Sequence, residues 1–186
     1  FAKPAKNSSA LLSFDDAKTL FHEFGHALHN LLSNVTYNRI SGTSVPRDFV
    51  ELPSQLFEHW LLTPEVLKKF AINKKTGESM PNHLIQAVMD SSNFDSGFAT
   101  VEYLASAVLD IEIHSREPNF EPETIQAKIL AELDMPEGIA MRHGISNFTH
   151  IFSGDGYSSG YYSYLWSEMM DADAFEYFRE KNNFFD

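Results

Sequence analysis

The sequence has 186 residues, 43% of them hydrophobic and 13% aromatic, which is enough apolar material for one buried core and too much for a disordered chain. Lys and Arg number 14 against 26 Asp and Glu, and the net charge of -12 excludes nucleic acid and anionic membranes as expected partners. Cysteine is absent, so disulfides and thiolate ligands are excluded and any zinc must be held by nitrogen and oxygen.

The first expected element is a helix over 14–33, with Ser13 and Asp16 as a capping pair and Ala17, Leu20, Phe24, Leu28 and Leu31 at spacings of three and four. The β-branched and polar run 35–45 reads as a short strand or ordered loop that ends at Pro46. A second helix is expected over 48–62, with Asp48 as its cap, Phe49, Leu52, Leu56, Trp60 and Leu61 as its apolar stripe, and Pro53 near its start. Four more helices follow, over 64–72, 82–91, 97–115 and 123–133, separated by glycine, serine and proline signals. Residues 150–160 form a loop with three glycines, and 161–181 returns to a helical pattern. The fold class is therefore mainly α, with at most a short strand or hairpin, and one domain over 1–186 is the default. No stretch approaches the roughly eighteen apolar residues of a membrane span, and nothing at the start resembles a signal peptide. The cytoplasm is the expected location, with the periplasm as the alternative.

The first helix carries the chemistry. His22-Glu23-Phe24-Gly25-His26 is an H-E-x-x-H motif. On a helix, positions i and i+4 are turned by about 40° and lie about 6 Å apart along the axis, so two histidines can grip one ion while the glutamate reaches a bound water. That arrangement predicts metal-assisted amide hydrolysis with a single Zn²⁺ as cofactor. A catalytic zinc needs three protein ligands and an open position, so the third ligand should come from another helix. Glu51, near the start of the next amphipathic segment, is the candidate; on spacing alone it reads equally well as a solvated first-turn glutamate. His29 lies on the same face as the pair but about 10 Å along the axis from His22, too far to share the ion, and is expected to pack beside the site or hydrogen-bond to a ligand. Glu58 and Gln55 are candidates to orient a ligand histidine. His59, His83, His114 and His143 read as isolated surface or packing residues.

Three blocks in order, Leu20-Phe-His-Glu-Phe-Gly-His-Ala-Leu-His29, Gly42-Thr-Ser-Val-Pro-Arg-Asp-Phe-Val-Glu-Leu-Pro-Ser-Gln55 and Gly156-Tyr-Ser-Ser-Gly-Tyr-Tyr-Ser-Tyr-Leu-Trp166, resemble the zinc metallopeptidases grouped around thimet oligopeptidase, oligopeptidase A and peptidyl-dipeptidase. Pro46 to Glu51 and Leu165 to Phe175 look closer to the bacterial peptidyl-dipeptidase branch. The resemblance implies a zincin-like helical catalytic domain with His22, His26 and Glu51 as zinc ligands and Glu23 as the general base on zinc-bound water. It implies that Tyr157, Tyr164 and His150 donate hydrogen bonds to the reacting oxygen and that Tyr161 is a substrate contact. Tyr162 and Trp166 are read as core packing. Arg47 and Arg142 are candidate anchors for a peptide carboxylate, weighed against ordinary surface ion pairing.

Members of that family are considerably longer, so this chain, which begins at Phe1 rather than at methionine, is expected to be the C-terminal catalytic part of a longer protein. The partners implied are short peptides and the upstream region that forms the other wall of a substrate channel. The expected activity is release of dipeptides from the C-terminus of oligopeptides. The alternatives are an endo-acting oligopeptidase of the same family and a zinc-binding module that is inert without the upstream region. The glycines of the tyrosine loop would let it close over a substrate.

Overall fold

The computed structural model describes residues 1, 3, 4, 6 and 10–185, and the chain divides into two compact units, Phe1–Ser92 with Trp166–Asp186, and Asn93–Leu165. Helix α1, Phe14–Leu31, starts as the sequence predicts. Ser13 Oγ accepts from the Asp16 N–H at 3.0 Å and Asp16 Oδ2 accepts from the Ser13 N–H at 3.0 Å, which satisfies two of the donors a helix start leaves open.

No strand forms over 35–45. That stretch holds a 3-10 turn at Asn38–Ile40 and is tied back onto the end of α1 by side chains. Asn30 Nδ2 donates to the His26 carbonyl at 2.9 Å, Ser33 Oγ accepts from the Gly42 N–H at 2.9 Å, and Asn30 Oδ1 accepts from the Thr43 N–H at 3.3 Å. Gly42 is required there. Its φ is +54°, and a Cβ would stand 2.2 Å from Asn30 Oδ1. These polar contacts satisfy the backbone locally and leave no neighbouring strand to pair with.

The single helix expected over 48–62 is two helices, α2 at Arg47–Val50 and α3 at Leu52–Leu61, with Pro46 rather than Asp48 in the cap position. Proline lacks an N–H and its ring collides with the carbonyl four residues back, so Pro53 is tolerated only in a first turn. It occupies the first turn of α3, and Glu51 becomes the junction, closing α2 and opening α3.

Helix α4, Pro64–Phe70, leads to a turn whose isolated antiparallel bridge, Ile72 with Ser79, is the only β pairing among the described residues, and α5 follows at Asn82–Ser91. Val50, Leu61, Val66, Leu67 and Ile85 are the buried apolar residues of the first unit. Of the apolar stripe on α1, Ala17 and Leu28 are half-buried while Leu20, Phe24 and Leu31 are 47%, 49% and 77% exposed, and Gly25 is the one buried residue of the helix.

The second unit is built on α6, Ser96–His114, and α7, Pro122–Glu132, followed by three short 3-10 turns at Ile145–Asn147, Thr149–Phe152 and Asp155–Tyr157. Leu109, Ile113, Ile125, Ile129, Phe148 and Ile151 form the heart of its core. Helix α8, Ser163–Lys181, supplies its first residues to this unit and the rest to the first unit. In the first unit α8 is held by His59 Nε2 at 2.6 Å from Asp171 Oδ1 and by Ser167 Oγ, which donates to the Asp48 carbonyl at 3.1 Å.

Candidate metal and catalytic site

Helices α1 and α3 can approach closely because Gly25 lies between the two motif histidines. A Cβ there would be 2.5 Å from Ser54 Cα and 2.7 Å from the Pro53 carbonyl oxygen, so a hydrogen at that position lets backbone meet backbone. The approach brings His22, His26 and Glu51 together, with one donor atom from each lying within 4.8 Å of the others. Glu51 Oε2 stands 3.2 Å from His22 Nε2 and 3.3 Å from His26 Nε2. Its carboxylate is not solvated at the surface, since Glu51 is 5% exposed. Ser54 Oγ, fully buried, bonds the Glu51 carbonyl at 2.8 Å and Oε2 at 3.2 Å, steadying the side chain.

The second nitrogen of His22 is also committed. Nδ1 lies 2.7 Å from Glu58 Oε1, and the other Glu58 oxygen is 3.1 Å from Lys18 Nζ. A carboxylate on Nδ1 holds the proton there and leaves Nε2 free to turn its lone pair toward an ion. Without a metal, the same contacts favour a proton. Burial works against charge on His22, but the hydrogen bonds to Glu51 and Glu58 outweigh it and raise the imidazole to about 9. Burial likewise pushes Glu51 up, and the bonds from His22 and His26 outweigh it, holding the carboxyl at about 2.

The donor set fits zinc. Two imidazole nitrogens and one carboxylate oxygen, converging within one small space, match a catalytic His₂Glu site. Glu23 is exposed on α1 beside His22. His29 does not join the ligands: it packs edge-on to Phe49 at 6.2 Å between ring centres, and its buried Nδ1 has no hydrogen-bond partner. Burial and the neighbouring His26 lower its pKa.

In the second unit the expected donors gather around His150. Its ring lies edge-on to Tyr157 at 5.1 Å and tilted against Tyr164 at 5.7 Å, and Tyr164 Oη is 3.4 Å from His150 Nε2. Tyr161, expected from the resemblance as a substrate contact, packs inward. It is 8% exposed, stacks on Tyr103 at 5.0 Å and meets Phe148 edge-on at 4.8 Å, so its ring is part of the core, and burial pushes its phenol up. Tyr162 and Trp166, read from sequence as packing residues, are 40% and 49% exposed. Arg47 is half-buried at the first position of α2, and Arg142 is exposed and near enough to the Tyr161 phenol to act on it electrostatically.

The model of peptidase family M3 matches residues 1–185. The chain belongs to peptidase family M3. Among M3 relatives it is 41% identical over 186 residues to dipeptidyl carboxypeptidase of Escherichia coli (strain K12), an alignment covering 97% of this chain and 27% of that protein. It is 37% identical over 194 residues to oligopeptidase A of the same organism, covering 99% and 28%, and 37% identical over 187 residues to thimet-like oligopeptidase of Dictyostelium discoideum, covering 96% and 27%. This M3 chain thus spans about a quarter of the length of the curated relatives it matches.

Three residues that shape these two clusters, each within its own unit, lie outside what the sequence reading singles out. In sequence, Gly25 is a variable position of the motif and Ser54 an ordinary helix serine. Asp110, completely buried beneath the tyrosine loop, does carry a signal: it stands four residues before His114, a spacing that pairs side chains on one helix face.

Proposed function

We propose that this chain is the zinc-dependent catalytic part of a peptide hydrolase that releases dipeptides from the C-termini of short peptides. The observation that supports it most is the convergence of His22, His26 and Glu51 with Glu58 on the far nitrogen of His22. The dipeptide specificity follows the likeness to a protein named dipeptidyl carboxypeptidase. A zinc ion held by those three residues supplies Lewis acidity toward water and a peptide carbonyl. Glu23 takes a proton from the attacking water at a carboxylate oxygen and returns it to the departing amine. To Tyr157, Tyr164 and His150 we assign hydrogen bonds to the carbonyl oxygen as charge builds on it, an effect worth a few kcal/mol per donor. Arg47, four residues before Glu51, is assigned the substrate's terminal carboxylate.

The substrate channel is completed by a further region of a longer protein, and the apolar groove of Leu20, Phe21, Phe24, Phe57 and Phe70 on the first unit supports a covering partner. The test measures zinc content and cleavage of matched peptides with free and amidated C-termini, using this chain and an N-terminally extended version. The expected result is one zinc per chain in both, with cleavage by the extended version restricted to the free-carboxyl peptide. Equal cleavage of the amidated peptide would instead establish the endo-acting oligopeptidase reading, which the likeness to oligopeptidase A supports. No cleavage by either version would overturn the enzyme assignment.

A further inference from the structure

Between Tyr157 and Tyr164 the backbone makes a tight double turn. The Tyr157 carbonyl accepts from the Gly160 N–H at 3.1 Å, and the Gly160 carbonyl accepts from the Ser163 N–H at 3.2 Å and from Ser163 Oγ at 2.5 Å. Ser159, inside this turn, has a φ of +55°, a region a serine occupies only when its surroundings hold it there. What holds it comes from α6. Asp110 Oδ1 accepts from the Ser159 N–H at 3.0 Å and Asp110 Oδ2 accepts from the Tyr161 N–H at 2.9 Å, one amide on each side of Gly160. Asp110 is fully buried, and His114 Nδ1, one helical turn on, sits 2.8 Å from Oδ1. Two turns before Asp110 on the same face, Tyr103 donates its hydroxyl to the Tyr161 carbonyl while its ring stacks on that of Tyr161.

A carboxyl group placed wholly in the interior is expensive unless each oxygen is satisfied, and its bonds here run to one segment, two loop amides, plus the neighbouring histidine. Its position is therefore explained by what it holds. We propose that Asp110, steadied by His114 and aided by Tyr103, is a positioning residue that locks the 159–161 backbone and thereby sets the phenols of Tyr157 and Tyr164 for the reaction. The proposal rests on the assignment of those two tyrosines as donors to the reacting oxygen. Asp110 itself touches no substrate; it acts through the turn whose two ends carry the tyrosines.

Asp110→Asn is the informative substitution. It keeps the volume but replaces one acceptor oxygen with an NH₂ group, which cannot accept from a backbone N–H. Two readouts are taken on the zinc-loaded, peptide-cleaving protein: hydrogen exchange of individual amides, and steady-state kinetics with zinc content. The expected result is exchange at the Ser159 and Tyr161 amides at least roughly tenfold faster, with amides of α1 and α7 unchanged. The kinetic counterpart is a kcat lower by roughly 10- to 100-fold, KM moved by less than about threefold and zinc content intact. Unchanged exchange at the two amides would overturn the anchor, and faster exchange with unchanged kcat would overturn its role in positioning. If Asp110→Asn loses protection throughout the chain, Tyr103→Phe, which keeps the ring and removes only the hydroxyl bond, decides by the same two readouts. If the unsubstituted protein cleaves no peptide, the enzyme assignment fails while the exchange data still decide the anchor.

Discussion

Glu23 and Glu58 flank the same histidine and have opposite expected phenotypes. Glu23 is exposed and contributes no metal ligand, so Glu23→Gln is expected to leave zinc content intact while lowering peptide cleavage by about 10²- to 10⁴-fold, measured by steady-state kinetics beside metal analysis. Glu58 holds the His22 proton on Nδ1, so Glu58→Ala is expected to weaken zinc by about 10- to 100-fold, read by competition with a chromophoric chelator. Zinc affinity equal to that of the unsubstituted chain would remove Glu58 from the site. The histidine pair and Glu23 are legible in sequence because one helical turn sets their spacing. Glu51 is an even choice on pattern alone, since a first-turn glutamate also suits a helix dipole. Its burial against two imidazoles excludes the solvated alternative. His59 reads as isolated for a related reason: its partner, Asp171, lies 112 residues away.

At the level of helices, the pairing of α1 with α3 turns on the missing side chain of Gly25. Alanine is the better helix former by about 1 kcal/mol, but a methyl group pressed into Ser54 Cα and the Pro53 carbonyl costs about 1–3 kcal/mol, because neither backbone atom can rotate away. Gly25→Ala is therefore expected to lower stability in chemical denaturation and, by separating Glu51 from the histidines, to weaken zinc binding. A stable variant with undiminished zinc affinity would show that the close approach is not what assembles the ligands. Helix positions are largely legible because apolar spacing and caps are local; α5 falls on the expected 82–91 and α6 within one residue of 97–115 at each end. The loop over 35–45 and the break at Glu51 are not. The first depends on Asn30 of α1 and Ser33 just after it bonding to the loop, and the second on how Pro53 divides a periodic apolar stripe.

For the molecule as a whole, the metal-free site makes stability depend on pH in two directions. The folded pKa of His22 is raised from 6.5 to about 9, so its contribution is fully present below 6.5 and is lost as pH rises through about 9. The Glu51 pKa is lowered from 4.5 to about 2, so its contribution is present above 4.5 and is lost as pH falls through about 2. Thermal unfolding of the zinc-stripped chain should show the maximum from these two groups between about pH 4.5 and 6.5, and His22→Gln should remove the decline on the alkaline side. Zinc must also displace the His22 proton, so binding near neutral pH should release about one proton, measurable by calorimetry in buffers of different ionisation enthalpy. The exposed apolar residues make a separate prediction. With Leu20, Phe24, Phe70 and Met169 all 47% exposed or more, this chain alone should bind a hydrophobic dye or self-associate, and an N-terminally extended chain should do so less. No described helix is long and apolar enough to cross a membrane.

By itself the sequence determined the helical character, the positions of most helices, the family and the two motif histidines with their glutamate. Each of these depends on spacing within a few turns or on a local motif. Tertiary structure alone decided that Glu51 is buried against the histidines, that Gly25 brings its helix close enough, that Glu58 commits the far nitrogen of His22, and that Asp110 pins the tyrosine turn. Those contacts join segments 25 to 51 residues apart, and their distances depend on packed backbones that no local pattern encodes.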